Sequence, residues 1–233
     1  WELAFVVAGI SICFALIIGI LALPSGKITE RTQSQVDDFK RVFRNRPVMI
    51  NITSYFGHLW EVFSNRVWIV TFFVFVEASQ PGSFLISVTW LATLVALIGV
   101  PASMFCGELA IRYGREVVIR GSMIIAVVVG VAVAFTTGAP LYVIAILALA
   151  YGMTSYSDTG TINTGTVIAA EPEVRGATMA VHASVGFLGG VLGSLAIGVT
   201  LQATGGKEST DAWTFAFLVM AMGSAFGFFV RWW

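Results

Sequence analysis

Along the chain, long apolar runs alternate with short breaks that are charged or rich in Gly and Pro. A helix crosses the bilayer core with about 20 residues. Seven runs approach or exceed that length: Leu3–Leu23, Ile50–Val76, Phe84–Gly107, Ile119–Phe135, Leu141–Ile168, Thr178–Leu201 and Trp213–Val230. Each is predicted to be a transmembrane helix. Strands of a membrane barrel would instead show segments of about ten residues alternating in polarity. Pro101, inside the third run, is expected to kink it. The first run follows Glu2 without the basic stretch of a signal peptide. It reads as a true span, entered from within a longer protein.

The breaks orient the spans, because Lys and Arg concentrate on the cytoplasmic side. Lys27, Arg31, Lys40, Arg41, Arg44 and Arg46 separate runs one and two, and Arg112, Arg115 and Arg120 separate three and four. Arg175 lies between five and six, and Arg231 follows seven. Eleven of the thirteen basic residues thus share one side, Lys207 lies on the other, and Arg66 is inside a span. The expectation is a multi-pass protein of the cell's inner (plasma) membrane with its C-terminus in the cytoplasm. The plan has three parts: a transmembrane helix over 1–23, a cytoplasmic loop over 24–47 and a six-helix bundle over 48–233. Lys27–Arg46, with Val36, Phe39, Val42 and Phe43, fits either a short amphipathic surface helix or a solvated linker.

Composition agrees with lipid as the solvent. Of 233 residues, 57% are hydrophobic and 11% charged, whereas soluble domains carry about 25% charged residues. The net charge is zero, which implies no nucleic-acid partner. Cys13 and Cys106 sit in apolar runs without metal or disulfide spacing. Trp68, Trp90, Trp213, Trp232 and Trp233 mostly fit interfacial anchors.

Three segments carry a family resemblance. Gly107-Glu108-Leu109-Ala110-Ile111-Arg112-Tyr113-Gly114-Arg115 resembles the cytoplasmic loop motif of the major facilitator superfamily at Gly107, Arg112, Gly114 and Arg115, with Ile111 where an Asp is usual. Ser157-Asp158-Thr159, Glu171 to Thr178 and Gly186 to Gly190 look like spans ten and eleven of bacterial members. Gly57-His58-Leu59-Trp60-Glu61 is similar to the start of span seven in one bacterial branch. The resemblance implies an all-α polytopic bundle, the C-terminal six-helix half of that fold plus one preceding helix. It also implies that the N-terminal five helices of the same protein are missing, and that the whole works by alternating access around a central cavity.

Ionisable groups within a span cost roughly 2.5–3.5 kcal/mol each on insertion scales, so each needs a reason. At 100° per residue, His58, Glu61 and Asn65 fall within about 60° of one another, with Arg66 to one side. Glu61 is the candidate proton carrier and His58 its relay. Arg66 is a candidate for an anionic substrate or for a pair with Glu61, and Trp60 for stacking on substrate. The alternative is a structural polar cluster. In the fifth run, Tyr151, Thr154, Ser155 and Asp158 share a face. Tyr151 and Ser155 are candidate substrate donors, and Asp158 is either part of that cavity face or a gate contact to Arg175 or to the loop motif. Asn163, Thr164 and Thr166 read as packing groups. His182 is either a cavity residue or a polar group at the cytoplasmic end. Gly186/Gly190 and Gly189/Gly193 are small-residue pairs suited to close helix crossing.

No GxxxxGK[ST] or HExxH sequence occurs, so neither a phosphate-binding loop nor a metalloprotease helix is indicated. No cofactor is implied. Three readings compete: a half of a secondary transporter, a seven-helix receptor-like protein, and an intramembrane enzyme using Glu61, His58 or Asp158. The first accounts for most, with a small solute, protons and the lipid bilayer as partners.

Overall fold

The computed structural model describes residues 2–22, 35–81 and 86–232. Lys27, Arg31, Phe84 and Trp233, and the limit of the first run at Leu23, lie outside the described residues. Among the described residues every regular element is helical, and seven helical segments are long and apolar enough to cross a membrane. The all-α membrane bundle is therefore as expected.

Two units divide the chain, Trp1–Ser34 and Gln35–Trp233. In the first, α1 (Glu2–Ala22) is apolar on every side, with a mean hydropathy of 2.8 over Phe5–Ala22. Its Ser11 hydroxyl bonds back to the Val7 carbonyl at 2.8 Å, which satisfies the one polar side chain in mid-helix.

The second unit begins with α2 (Gln35–Arg44), so this part of the loop is a helix and not a linker. Val42 is buried with Val48, Ala170 and Val174, while Phe39 and Phe43 are exposed. Asn45 caps the next helix by accepting from the Val48 amide at 3.2 Å, with Pro47 in the first turn, a favoured pairing of cap and proline. That helix, α3 (Arg46–Ser79), has 34 residues. At 1.5 Å per residue it is about 51 Å long, longer than the apolar run alone suggested.

Two later spans are broken. The third consists of α4 (Val88–Leu97) and α5 (Gly99–Tyr113), interrupted at Ile98. Pro101 causes this break, since it has no N–H for the Leu97 carbonyl and its ring crowds that group. The span continues to Tyr113, so Gly107 and Arg112 lie on helix. The turn itself is at Gly114, with φ of +89°, a conformation that favours glycine. After α6 (Arg115–Ala134), the fifth span consists of α7 (Leu141–Ser157) and α8 (Thr159–Ala169), interrupted at Asp158. This second break has no proline and the run gave no sign of it. A single 3-10 turn (Pro172–Val174) leads into α9 (Arg175–Ala203), and α10 (Thr210–Trp232) follows.

Lipid tails are as apolar as leucine, so helices in a bilayer associate through close packing and polar contacts. α9 and α10 both lie along α3. Gly186, Gly189, Gly190 and Gly193 of α9 all face α3, and a Cβ on Gly189 would strike the Phe56 backbone. Gly223 of α10 packs backbone to backbone on Gly57 of α3 in the same way. A larger apolar core gathers Phe72, Phe73, Tyr151, Trp213 and Phe217, with ring centroids 4.8 Å apart for Phe72 and Phe217.

One end of this unit gathers the basic residues. Arg41 bonds Glu171 and lies 3.4 Å from Glu173, and Asn45 bonds the Ala169 carbonyl. The other end carries Lys207 with Glu77, Glu208 and Asp211, and Gln80 there is bonded to the Ala139 carbonyl and the Leu141 amide. Trp90 and Trp232 are exposed, as anchors require, but Trp213 is fully buried and Trp68 donates to the Ser194 carbonyl at 3.0 Å. Those two tie helices together.

Candidate functional site

The Gly57–Gly223 crossing sets α10 against α3 closely enough for Ser224 to reach Glu61. Glu61 is fully buried near the middle of α3. The Ser224 hydroxyl donates to its Oε2, while Oε1 has no hydrogen-bond partner among the described residues. Tyr151 of α7, also fully buried, lies near the same carboxyl, and its hydroxyl has no hydrogen-bond partner among the described residues. Among the described residues Glu61 makes no ion pair, so the Arg66–Glu61 pairing considered from sequence is not formed. Asn65 and Ser64, one turn along α3, are buried with Asn65 Oδ1 and Ser64 Oγ unpartnered.

One turn the other way, His58 spans α3 and the break between α7 and α8. Its Nδ1 lies 2.9 Å from Asp158 Oδ1, and its Nε2 lies 2.9 Å from Thr159 Oγ1. The Thr159 hydroxyl is also 2.8 Å from the Tyr156 carbonyl. When it donates there, Nε2 must carry a hydrogen, and a further proton is then held between Nδ1 and Asp158. Asp158 therefore pairs with His58, and not with Arg175 or the loop motif. The break in the helix brings its carboxylate across to α3.

Tyr55 links this pair to the second histidine. Its ring is stacked 4.0 Å from His182 and 5.6 Å from His58, centroid to centroid. His182 Nε2 lies 2.8 Å from Asn163 Oδ1, and Nδ1 lies 3.3 Å from Thr166 Oγ1. Asn163 and Thr166 are thus partners of His182 as well as packing groups. Tyr55, Ser224 and the His58–Asp158 contact were not identified from sequence. Tyr55 stands i−3 to His58 on the same helix face, which is a usable signal. Nothing in the spacing connects Ser224 to Glu61.

Other predicted residues lie elsewhere. Tyr151 and Ser155 face the bundle interior, and Ser155 spends its hydroxyl on the Tyr151 carbonyl at 2.7 Å. Trp60 donates its indole N–H to the Val219 carbonyl at 2.9 Å, so its ring fastens α3 to α10. Arg66 is exposed, with its guanidinium carbon 5.7 Å from the ring centroids of both Phe63 and Tyr156. Among the loop-motif residues, Arg112 lies over Tyr113, Arg115 is half-buried, and a Cβ on Gly107 would meet open space. Arg175 is exposed at the start of α9. Cys106 borders a cleft of about 400 Å³ between α5, α6 and α7 that is lined mostly by apolar side chains.

A charged node at the basic end was also missed. Arg231 is buried, and its guanidinium bonds Ser54 Oγ at 2.9 Å, Glu116 Oε1 at 2.6 Å and Asn51 Oδ1. The Arg120 guanidinium closes on the Arg231 carbonyl at 2.7 Å. α3, α6 and α10 are joined there. In the sequence Arg231 had only been counted as an orienting charge.

Among the described residues no group of three or more His, Cys, Asp or Glu side chains is placed to hold a metal ion. No protein-family model and no curated protein matches the chain. Among solved structures, the chain is similar to a bacterial homologue of the iron transporter ferroportin, crystallised in an outward-facing state. The TM-score is 0.63 and the identity 19%, over 88% of this chain and 49% of that one. This chain therefore spans about half the length of that transporter, and at this identity the likeness is one of fold.

Proposed function

We propose that this chain is the C-terminal six-helix half of a major facilitator-type secondary transporter, together with the span before it. The whole moves a small solute by alternating access, driven by the proton gradient. Its basic end faces the cytoplasm of a cell bounded by that membrane, and the preceding half of the same protein completes the cavity. The fold likeness to half of a membrane transporter supports this reading.

Glu61 is the observation that carries the proton coupling. A carboxyl with no cation and an unpartnered oxygen, near mid-membrane, bears charge only at a cost of several kcal/mol. It exchanges its proton when a rearrangement admits water or a cation. The groups that face it are Ser224 from α10 and Tyr151 from α7, with His58 and Asp158 one turn away. In this reading His58–Asp158 holds a second proton at the α7–α8 break, and movement of the break couples the two sites. Gln in place of Glu61 keeps the shape and removes the proton. The complete native protein in proteoliposomes should then retain solute exchange with Glu61→Gln and lose its response to an imposed proton gradient. Full retention of that response would refute the proton role.

A further inference from the structure

Arg66 is the charged group in α3 that the proton chemistry leaves unused. It is the residue 20 positions after Arg46 and 13 before Ser79, which places it about 30 Å and 20 Å from the two helix ends at 1.5 Å per residue. A bilayer core is about 30 Å thick, so Arg66 lies at membrane depth, yet it is exposed on the surface of the six-helix unit. A guanidinium at that depth does not face acyl chains; such residues face a bundle interior or a watered cavity. Among the described residues Arg66 has no carboxylate partner. Its neighbours are rings from two helices, Phe63 of α3 and Tyr156 of α7, each with its centroid 5.7 Å from the guanidinium carbon. Phe187 of α9 meets Phe63 edge to face at 5.7 Å and is itself exposed. A fixed positive charge thus sits over rings contributed by two helices, with Phe187 of a third packed against Phe63.

We infer that Arg66, flanked by Phe63 and Tyr156 and with Phe187 beside Phe63, is a recognition site for an organic anion with an apolar body, in the class of small aromatic or aliphatic carboxylates. The guanidinium pairs with the carboxylate through its planar fork. The rings orient the guanidinium through their π faces and cover the apolar body. The fixed charge on this wall is positive, which attracts an anion and repels a divalent cation. The inference deepens the transport reading and rests on it for the claim that this face lines the solute path.

Binding is the appropriate test, because it needs neither a gradient nor Glu61. The complete native protein, purified in detergent, is titrated with benzoate, phenylacetate and octanoate, with benzylammonium and benzyl alcohol as the cationic and neutral counterparts, and with Mn²⁺. The readout is thermal stabilisation, since a ligand that binds the folded state raises the melting temperature by mass action. At least one carboxylate should stabilise the wild type, with affinity reduced at least tenfold in Arg66→Gln and by less in Arg66→Lys. The amine, the alcohol and Mn²⁺ should leave the melting temperature unchanged. Should Arg66→Gln not yield folded protein, Phe63→Leu and Tyr156→Leu serve instead, with a several-fold weakening of the same carboxylate expected. The inference is overturned if no carboxylate binds, if the amine or Mn²⁺ binds instead, or if the variants bind the carboxylate like the wild type. The last result would assign Arg66 to a carboxylate of the preceding half. Carboxylate binding without any gradient-driven uptake would sink the transport reading and leave the anion site standing.

Discussion

His58 Nδ1 lies 2.9 Å from Asp158 Oδ1, with both side chains buried. The contact ties the middle of α3 to the point where the fifth span breaks. A buried charge that loses its partner costs about 3–5 kcal/mol in typical cases. His58→Leu should therefore destabilise the protein by roughly that amount, and Asp158→Asn by less, because the amide still hydrogen-bonds. The double change to Leu at both positions should recover part of the loss. Thermal unfolding in detergent of the wild type, the two Leu single variants and the double variant measures this, with Asp158→Asn as a fifth protein, and simply additive losses of the Leu variants would show that the two side chains are not coupled.

Much of this architecture is readable from the chain. The seven spans follow from run length, and the kink at Ile98 follows from Pro101, four residues beyond the Leu97 carbonyl. The stripe of His58, Glu61 and Asn65 follows from the helical period, and all three are buried. What the period cannot give is the partner on another helix. Ser224 reaches Glu61 because Gly223 and Gly57 let two backbones touch, and that register is a property of the packed pair. The interruption at Asp158 has no proline or glycine at it, and the partner of its carboxylate is a histidine 100 residues earlier. The loop motif's spacing likewise does not say which of its glycines turns the chain: the helix runs through Gly107 and turns at Gly114.

That displacement gives a contrast between two glycines. Gly107→Ala should be neutral, or stabilising by up to about 1 kcal/mol, since a Cβ there meets open space and alanine favours helix. Gly223→Ala should cost about 1–3 kcal/mol or more, because its Cβ would press on the Gly57 carbonyl, which is backbone and cannot swing aside. Melting temperatures of the two variants decide it. Equal losses would mean that Gly107 is not on an open helix face.

Arg231 is expected to behave differently from the other cytoplasmic-side arginines. Its fork serves Asn51, Ser54 and Glu116 together, and lysine cannot reproduce that geometry. Arg231→Lys should cost about 1–3 kcal/mol through the polar groups left unmet. Arg112→Lys and Arg175→Lys, at exposed positions, should stay within about 0.5 kcal/mol. Chemical or thermal unfolding in one detergent compares them, and indistinguishable stabilities would reduce Arg231 to an orienting charge.

Trp60 separates a fastening role from a substrate role. Trp60→Phe removes the bond to the Val219 carbonyl and should cost about 0.5–1.5 kcal/mol of stability. Solute affinity should be unchanged. An affinity loss at unaltered stability would restore the stacking role considered from the sequence.

The central claim is that Glu61 exchanges a proton inside the membrane, and infrared spectroscopy sees that proton without knowledge of the solute. The complete native protein in lipid is titrated from acid to alkaline pH while the stretch of protonated carboxyl groups is followed, with Glu61→Gln as the reference. The account predicts a protonated-carboxyl band in the wild type that changes with pH and is missing from the variant. Identical spectra for the two proteins, or a Glu61 band indifferent to pH, would contradict it.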